Sequence, residues 1–449
     1  MCGIFGFIGK RAAAPLLVEG LRRLEYRGYD SSGIVVKNGD LQVYKKVGKV
    51  SELSSILPNH IEGNSGIAHT RWATHGEVND VNAHPHLNDK ADIAIVHNGI
   101  IDNARDIRKR LEKKGYLLKS ETDSETLAHM ITIGMESGQT PIEAVRQTLK
   151  RLTGTWGLCV LFKDHEQIIC ARNGSPLLIG KGDGESFVSS DPHALSHHTQ
   201  NIFFLEDGDL AIIDRDGVEI TRLEGGVSDT SMTVVEDEWE EADIGGYPHF
   251  MLKEIHEQPE ALRRCITGRL DKANGGAKLG GLKLEPVRLR TAPHVRLIGC
   301  GTALNACKIG QLAIESLARI PAVAHVASEF RYNDPVINPN AIHFAVSQSG
   351  ETADTISAVK EIHLKGGEVH GIVNVVGSTI ARLCGQGVYI HSGPEQAVAS
   401  TKAFTNMVAS LLLFSIRIGR TRSFSRERGR SLIDNFQNIP TQIEEYLSN

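Results

Sequence analysis

The sequence predicts two kinds of fold in one chain: a layered α+β domain, followed by an α/β domain with a parallel sheet. The first prediction rests on short apolar runs that flank a group of helical stretches within residues 2 to about 235. The second rests on a change of rhythm near His294, after which strands, Gly- or Ser-rich turns and helices alternate. An acidic run at 236–243, followed by Gly and Pro residues, indicates a linker between the two regions.

In the first region, strands are expected where apolar runs are bounded by Gly, Asn or Asp. Helices are expected where apolar positions recur at helical spacing. From Trp156 to Ile220 the pattern is mostly β, because Asn-Gly, Asp-Gly and Asp-Pro turn pairs interrupt it. The predicted strands are 4–8, 33–37, 66–71 and 92–97, and the predicted helices are 12–26, 103–114, 125–137 and 141–152.

In the second region, each apolar run leads into a helix through a turn of small residues. Ligands of parallel sheets bind at the carboxyl ends of the strands, which is where these turns fall. The predicted strand–helix pairs are 295–298 with 303–317, 342–346 with 353–364, and 369–374 with a following helix; 396–418 and 430–447 are also expected to be helical.

These patterns divide the chain into four segments. Residues 2–235 form the first domain, 236–286 a linker with a connecting helix, 287–430 the parallel-sheet domain, and 431–449 the start of a further C-terminal region. Residues 272–284 are rich in Gly and Lys and are expected to be an exposed connection.

Composition and charge exclude several classes of protein. The chain has 449 residues, with 49 Lys+Arg against 54 Asp+Glu and a net charge of −5. At 41% apolar and 23% charged residues it has ample material for a core, and it lacks the basic character of a nucleic-acid binder. The longest apolar stretch, 408–418, is far short of the ~20 residues of a membrane span, and the N-terminus lacks signal-peptide features. We expect a cytoplasmic enzyme with no membrane or nucleic-acid partner.

The seven cysteines include no C-x-x-C pair, and histidine groups such as His84 with His86 lack a recognised ligand motif. We therefore expect reduced thiols, no metal site and no cofactor. The one basic run has six arginines between Arg417 and Arg430. We expect it to be a solvated connection, since no aromatic stripe accompanies it.

Cys2 differs from the other cysteines because removal of Met1 would make it the N-terminal residue. Its α-amine then has a reference pKa near ~7.8, so roughly one molecule in seven carries a neutral amine at pH 7. A lysine amine, with a pKa of about 10.4, is neutral only about once in 2,500. Cys2 therefore combines a thiol nucleophile with its own general base. Position alone leaves open the alternative of an ordinary thiol at a frayed terminus.

Other segments supply the groups that amide hydrolysis needs. Asn98 and Gly99 close a predicted strand, and an Asn side chain with the next backbone N–H can donate to an oxyanion. Arg71 offers a bidentate guanidinium for the carboxylate of a free amino acid, and Asp123 offers a carboxylate for its ammonium. The sequence thus predicts hydrolysis of an amide on a free amino acid.

Five segments together resemble the class II glutamine amidotransferase domain, over residues 2 to about 230. They are Cys2-Gly3-Ile4 and the residues around Arg27, Arg71–Gly76, Asn98-Gly99 and Asp123.

The resemblance implies an α+β N-terminal-nucleophile fold, arranged as a layered sandwich. It implies that Cys2 attacks the carboxamide of L-glutamine, with Asn98 and Gly99 as the oxyanion hole. It further implies that the amino-acid end and the pocket are formed by Arg71, Asp123, Trp72, Thr74 and His75.

Three turns in the second region are rich in small and hydroxylated residues. Residues 346–352 lie where an apolar run becomes a helix, so a phosphate there would meet free backbone N–H groups and several hydroxyls. The helix dipole supplies only about 0.3–1 kcal/mol, so useful affinity requires several donors to converge. Helix capping explains any one turn, but three in one domain favour a phosphate site. The other two turns are 299–302 and 399–402.

These turns, with residues 328–332, resemble a sugar isomerase (SIS) domain, an α/β parallel-sheet fold. With the first region, the whole chain resembles the glutamine–fructose-6-phosphate aminotransferase (isomerising) family, which Lys253-Glu254-Ile255 and Glu257-Gln258-Pro259 also fit. The resemblance implies a homodimer that passes ammonia internally from Cys2 to fructose 6-phosphate and makes glucosamine 6-phosphate. The implied sugar-phosphate ligands are Thr302, Ser347, Gln348, Ser349, Thr352 and Ser400.

That family has two SIS units and a C-terminal tail, whereas these 449 residues contain one unit. The family's isomerisation groups, a Glu and a His in the second unit and a Lys near the C-terminus, have no counterpart here. The sequence leaves open whether the chain is a fragment or a shortened protein. Two alternatives to a full synthase are a glutaminase whose SIS unit only binds sugar phosphate, and a non-catalytic sugar-phosphate sensor.

Overall fold

A computed structural model of the chain describes residues 2–73, 75–235 and 244–449. Thr74, predicted to shape the glutamine pocket, and the acidic run 236–243, predicted to be a linker, lie outside the described residues. The chain divides into two compact units, Met1–Trp239 and Glu240–Asn449. No helix in the described parts combines the length and the apolar character that crossing a bilayer requires.

The first unit has two antiparallel sheets with helices on their outer faces. Among the described residues, one sheet has eight strands in the order β14-β11-β9-β10-β1-β4-β2-β3, and the other has six in the order β13-β12-β8-β7-β6-β5. The strands are β1 Gly3–Ile8, β2 Ser31–Asn38, β3 Asp40–Val47, β4 Ser65–Arg71, β5 His86–Leu87, β6 Ile93–Ile101, β7 Gly154–Phe162, β8 Ile168–Asn173, β9 Leu178–Lys181, β10 Ser186–Ser189, β11 Asn201–Phe204, β12 Asp209–Ile213, β13 Val218–Arg222 and β14 Met232–Val234. The helices are α1 Ala13–Leu24, α2 Val50–Ile56, α3 Ala104–Lys113, α4 Glu125–Glu136 and α5 Pro141–Leu149.

The alternation of side chains along β1 shows how the layers form. Ile4 and Ile8 face the core between the two sheets, whereas Phe5 and Phe7 face the core that the first sheet shares with α1 and α2. Because both faces of the strand are buried, it reads as a continuous apolar run. The predicted strands and helices of this unit are confirmed, with small differences at their ends.

The second unit is built on a parallel sheet. The described strands of the unit are β15 Leu270–Asp271, β16 Gly276–Ala277, β17 Val295–Gly299, β18 Ala322–Val326, β19 Ile342–Ser347, β20 Val369–Val373 and β21 Gly387–Tyr389. The parallel sheet contains five of them, in the order β18-β17-β19-β20-β21, and β15 pairs with β16 separately. The helices of the unit are α6 Phe250–His256, α7 Gln258–Ile266, α8 Pro286–Thr291, α9 Gly301–Ala318, α10 Ala327–Tyr332, α11 Ala353–Leu364, α12 Thr379–Cys384, α13 Lys402–Arg420 and α14 Arg426–Leu447.

The chain reverses its direction across this sheet at β17. From β17 it passes through α9 to β18 on one side, and from β18 it returns through α10 to β19, which lies on the other side of β17. Such a reversal leaves a crevice at the carboxyl ends of the two strands beside it, where ligands of open parallel sheets bind.

Residues 272–284 are only partly the exposed connection that their Gly and Lys content predicts. The three lysines of the segment are exposed, but Leu279, Leu282 and Leu284 are buried in the main core of the second unit. The prediction is wrong for the leucines because they anchor the backbone against that core.

The arginine run is only partly solvated. Five of its six guanidinium groups donate to backbone carbonyls of residues 273–292, a contact set that we call the arginine clamp, although Arg426, Arg428 and Arg430 are exposed. Arg417 donates to the carbonyls of Leu279 and Leu284, the latter at 3.0 Å. The other donor–acceptor pairs are Arg420 with Asn274 at 3.2 Å, Arg422 with Leu289 at 3.2 Å and Ala292 at 2.7 Å, and Arg426 and Arg430 with Ala273 at 2.6 and 2.9 Å.

The helix predicted over 396–418 begins later, at Lys402. Carboxylates hold the preceding segment in a non-helical conformation. Glu254 accepts from the N–H groups of Gln396 and Ala397, and Glu395 accepts from Thr401. These N–H groups are thereby unavailable for a further helical turn.

Gly20 allows α1 to lie directly on β1, and we predict that Gly20→Ala destabilises the first unit. A Cβ there would lie 2.3 Å from Cγ of the buried Phe5 ring. Alanine gains about 1 kcal/mol of helix propensity. Overpacking costs about 1–3 kcal/mol, and so close an approach to a buried ring lies at the upper end of that range, so we expect a net loss of about 1–2 kcal/mol. Urea unfolding measures it. Glu19→Ala, the neighbouring half-exposed position in α1, is the control and should change stability by under ~0.5 kcal/mol. A Gly20→Ala chain as stable as wild type would contradict the packing argument.

Candidate active site

Cys2 lies directly before β1, where the pairing of β1 with β4 places it beside Trp72. Gly3 pairs with Thr70 in this ladder, and the Cys2 Sγ accepts a hydrogen bond from the Trp72 N–H at 3.2 Å. Burial raises the pKa of the Cys2 thiol, while the Trp72 hydrogen bond acts to lower it. The thiol is therefore protonated at neutral pH and needs a base to become a nucleophile.

Asn98 and Gly99 lie near the end of β6, in the other sheet. Asn98 Nδ2 donates to the Cys2 backbone carbonyl at 3.1 Å, so the structure places the predicted oxyanion donor against the predicted nucleophile. Gly99 has φ +134°, and a Cβ there would lie 2.1 Å from the Thr155 carbonyl oxygen. The strand can therefore follow this path only with glycine at position 99.

Arg27 is a second residue that holds Cys2, and sequence reasoning gave it no role. Its Nε donates to the Cys2 carbonyl at 3.2 Å, and its Nη1 lies 2.8 Å from Asp191 Oδ2 in a buried ion pair. Tyr26 donates to the same Asp191 oxygen at 2.5 Å. Although burial acts to raise it, contacts with His193, Arg27 and Tyr26 hold the pKa of Asp191 below its ordinary value. Asp191 is 164 residues from Arg27 along the chain, so no local pattern could have revealed the pair.

The predicted ligands of the amino-acid end are both fixed by the backbone. Arg71 donates to the carbonyls of His75, Gly76 and Glu77 at 2.5, 3.2 and 3.2 Å. Asp123 Oδ2 accepts from the Ile101 N–H at 2.8 Å. These contacts orient a guanidinium after β4 and a carboxylate before α4, and the roles of both in binding glutamine remain predictions.

The remaining described pocket residues are exposed. The Trp72 side chain is 40% exposed and meets the edge of the Tyr29 ring, with centroids 5.3 Å apart. His75 is exposed on the loop that Arg71 holds. Both are accessible to a ligand that approaches Cys2.

Four buried histidines lie behind this site, and we call them the histidine cluster: His69, His84, His86 and His97. The rings of His69 and His84 stack with centroids 4.2 Å apart, and His84 meets the edge of His86 at 4.4 Å. His84 Nδ1 accepts from the backbone N–H of His97 at 3.3 Å. Sequence reasoning weighed His84 and His86 only as metal ligands and gave His69 and His97 no role.

The histidine cluster is neutral at pH 7. Burial lowers the pKa of His69 to about 3 and lowers the pKa values of His84, His86 and His97. Like charges on neighbouring rings would repel, which lowers the pKa values of His84 and His86 further.

In the second unit, the predicted phosphate ligands flank the crevice between β17 and β19. Ser347 ends β19, and Thr352 precedes α11. Thr302 lies in the first turn of α9, directly after β17. Because β17 and β19 are adjacent and parallel, these residues lie at the same edge of the sheet.

The turn after β19 is already ordered by its own hydroxyls. Ser347 Oγ accepts from the Gly350 N–H at 3.1 Å and lies 3.0 Å from Thr352 Oγ1. Ser349 Oγ accepts from the Glu351 N–H at 3.1 Å. Gly350 has φ +66°, and a Cβ there would clash with Ser378. The hydroxyls thus have structural partners, and phosphate binding by them remains a prediction.

Ser400 lies before α13, where its Oγ accepts from the Phe404 N–H at 3.0 Å. Asn374, which sequence reasoning missed, connects this region to the β19 turn. Its N–H donates to the Gln348 carbonyl at 3.1 Å, and its Oδ1 accepts from the Ser392 N–H at 2.9 Å.

Comparison with known proteins agrees with this division of the chain. A family model for the glutamine amidotransferase domain matches residues 69–197, and one for the SIS domain matches residues 288–417. The predicted fold class is confirmed: an antiparallel N-terminal-nucleophile sandwich of the amidotransferase type precedes a parallel-sheet SIS domain.

Curated relatives match along the whole chain. The glutamine–fructose-6-phosphate aminotransferase [isomerizing] of Chlorobaculum tepidum is 43% identical over an alignment of 458 residues, gaps included. The alignment covers 99% of this chain and 73% of that protein. The chain belongs to this family. Members from Thermus thermophilus and Methanosarcina mazei are 44% and 39% identical, and each match covers 100% of this chain and 74% of the relative.

Solved structures also resemble parts of the chain. The C-terminal domain of glucosamine-fructose-6-phosphate aminotransferase from Francisella tularensis is 32% identical, with a TM-score of 0.42, over 45% of this chain and 56% of that chain. Glutamine phosphoribosylpyrophosphate amidotransferase from B. subtilis is 19% identical, with a TM-score of 0.46, over 83% and 81% of the two chains.

The neutral histidine cluster predicts that mild acid destabilises the first unit. A folded-state pKa below the unfolded value of about 6.5 means that the unfolded chain binds more protons between the two values, so stability falls as pH drops below about 6.5. From pH 7.0 to 5.5 the expected loss is about 1 kcal/mol for each histidine whose folded pKa lies below this window. The lowered pKa values of Glu125 and Asp191 change the free energy of unfolding only at pH values below this range.

Urea unfolding of the full chain at the two pH values measures this loss. His60→Gln removes an exposed histidine and should keep the wild-type pH response, whereas His84→Phe should reduce it. An unfolding free energy that is equal at both pH values would contradict the burial of four neutral imidazoles.

Proposed function

We propose that the chain hydrolyses L-glutamine at Cys2 and uses the ammonia to convert fructose 6-phosphate into glucosamine 6-phosphate. The observation that carries the proposal is the hydrogen bond from Asn98 Nδ2 to the Cys2 backbone carbonyl, which supports the assignment of these two residues, from the two sheets, as oxyanion donor and nucleophile. The printed activity of the relatives, which are 39–44% identical over the whole chain, supports the same reaction.

In the first unit, the α-amine of Cys2, freed by removal of Met1, takes the thiol proton, and Sγ attacks the carboxamide carbon of glutamine. Asn98 Nδ2 and the Gly99 N–H stabilise the resulting oxyanion. Collapse of the intermediate breaks the C–N bond, and the proton held by the amine leaves with ammonia. Water then hydrolyses the thioester and releases glutamate. Arg71 and Asp123 hold the carboxylate and ammonium of the substrate.

In the second unit, the turns beside β17 and β19 bind the phosphate of fructose 6-phosphate through Ser347, Ser349 and Thr352, with Gln348, Thr302 and Ser400 nearby. Ammonia replaces the C2 carbonyl oxygen, which leaves as water. Transfer of a proton from C1 to C2 then gives the aldose. The sum is glutamine plus fructose 6-phosphate to glutamate plus glucosamine 6-phosphate. A homodimer in the cytoplasm, as the family resemblance implies, is part of the proposal.

A glutaminase that binds fructose 6-phosphate without converting it is the second candidate. It is supported by the separate matches of the glutamine amidotransferase and SIS models, which cover different parts of the chain and allow each site to act alone.

The deciding experiment measures glutamate and glucosamine 6-phosphate together, from glutamine and fructose 6-phosphate. We expect equal yields, because each ammonia released by Cys2 is consumed by one sugar. Cys2→Ala should reduce both products to background, whereas Cys384→Ala, which removes a thiol far along the chain, should leave both unchanged. Glutamate without amino sugar would establish the second candidate. Ammonia release by Cys2→Ala would contradict the nucleophile.

The turn after β19 predicts a specific loss of sugar-phosphate binding. The double variant Ser349→Ala/Thr352→Ala removes two hydroxyl donors, each worth about 1.5–3 kcal/mol to a charged ligand, so the dissociation constant should rise by about a hundredfold or more. Titration calorimetry with fructose 6-phosphate measures it. Ser357→Ala, farther along α11, is the matched control. Unchanged binding by the double variant would show that these hydroxyls cap the helix and do not bind the phosphate.

A further inference from the structure

We propose that His69 is a positioning residue for glutamine hydrolysis: its Nε2–H fixes the Asn98 amide in the orientation that donates to the oxyanion. The proposal deepens the proposed function and rests on it, since it assigns a role within the same glutaminase site. It concerns a residue that does not touch the nucleophile and that acts through Asn98.

The orientation follows from the groups on the two sides of the Asn98 amide. One end of the amide faces the Cys2 carbonyl oxygen at 3.1 Å, and the other faces His69 Nε2 at 3.0 Å. A backbone carbonyl can only accept, so the end that faces Cys2 must be the Nδ2 donor. The Oδ1 acceptor therefore faces His69, and His69 Nε2 must carry a proton.

The charge of His69 follows from its surroundings. The side chain is 1% exposed, and burial lowers its pKa to about 3, although the Asn98 hydrogen bond acts in the opposite direction. Its neighbours His97 and Arg71 also act to lower the pKa. His69 is therefore a neutral imidazole at pH 7, whose single N–H lies on Nε2 and points at Asn98.

The histidine cluster holds the His69 ring in place. His84 stacks on it at 4.2 Å, and His84 is itself fixed by the backbone N–H of His97, the residue before Asn98. His97 Nε2 lies 3.3 Å from the Thr155 carbonyl, which can only accept, so His97 Nδ1 accepts from Ser124 Oγ at 2.8 Å. Ser124 follows Asp123. The cluster thus connects the oxyanion donor to the segment that carries the proposed ammonium ligand.

Loss of the His69 N–H would remove one of the two groups that orient the amide, so the amide would spend more of its time turned. With Oδ1 facing the Cys2 carbonyl, two acceptors would oppose each other, and no donor would face the developing oxyanion. Removal of an oxyanion donor outright costs about 10²–10³ in kcat in known enzymes. A misoriented donor is lost only part of the time, so we expect His69→Leu to lower the kcat for glutamate release by roughly 10- to 100-fold. The KM for glutamine should change by less than about threefold, because Arg71 and Asp123 are untouched.

The test is a double-mutant cycle on the full chain, with glutamate release as the readout. His69→Leu, Asn98→Ala and the double variant are compared, and His69→Gln restores an N–H donor at a similar distance from the backbone. If His69 acts through Asn98, the His69→Leu loss shrinks to under about twofold in the Asn98→Ala background. His69→Gln should recover at least about a third of the wild-type kcat. Thr70→Val, the next residue of β4 on the opposite face, is the control for disturbance of the strand.

Each outcome decides a separate question. Equal fold-losses from His69→Leu in both backgrounds, or the same loss in His69→Gln and His69→Leu, would overturn the positioning role. A His69→Leu chain that keeps kcat within twofold of wild type would also overturn it. If His69→Leu does not fold, as judged by circular dichroism and by loss of its urea transition, His69→Gln is measured with and without Asn98→Ala instead. The positioning role then requires that any loss of kcat caused by His69→Gln disappear in the Asn98→Ala background, and an equal loss in both backgrounds would overturn it. Glutamate release by Cys2→Ala would instead overturn the proposed function, and this variant is measured alongside.

Discussion

The side-chain amide of Asn98 is the point at which the two sheets of the first unit meet at the candidate site. It leaves β6 of one sheet and bonds both to Cys2 before β1 and to His69 on β4 of the other sheet. Neither sheet alone contains the candidate site, because one carries the proposed nucleophile and the other carries the proposed oxyanion donor. The apolar core between the sheets, with Ile4 and Val96 among its members, therefore sets the distances on which chemistry depends. A change in the packing of that core would therefore also change the geometry of the candidate site at its edge.

Burial determines the charges around this point. The thiol of Cys2 has a raised pKa, the histidine cluster is neutral, and the buried cation of Arg27 is matched by Asp191. Unpaired charge in a low-dielectric interior is costly, so these groups are neutral or paired, and the buried guanidinium of Arg71 is compensated by three backbone carbonyls. A freed α-amine beside Cys2 would then be a base whose pKa lies close to neutrality without help from neighbouring charges.

Local pattern predicted most of the secondary structure, because periodicity and turn residues are short-range signals, and it singled out Cys2, Asn98 and Gly99, which the fold brings close together while their catalytic roles stay predictions. It failed where a long-range contact decides the outcome. The glycine-rich segment around Leu282 was expected to be exposed, and Arg417 and its neighbours were expected to be solvated, but each satisfies the other across more than a hundred residues. The partnership of Arg27 with Asp191 and that of His69 with Asn98 escaped for the same reason. A sequence lists donors and acceptors without saying which of them the fold will pair.

The arginine clamp has a consequence for the order in which the two units fold during synthesis. Carbonyls of residues 273–292 are held by guanidinium groups between Arg417 and Arg430, which a ribosome adds well over a hundred residues later. The early part of the second unit must therefore wait, without these partners, until α13 and the start of α14 have left the exit tunnel. The first unit finds its partners within its own 239 residues and has no such delay. Nascent chains stalled before Arg417 should thus carry a folded first unit followed by a segment that is still open to proteases and chaperones.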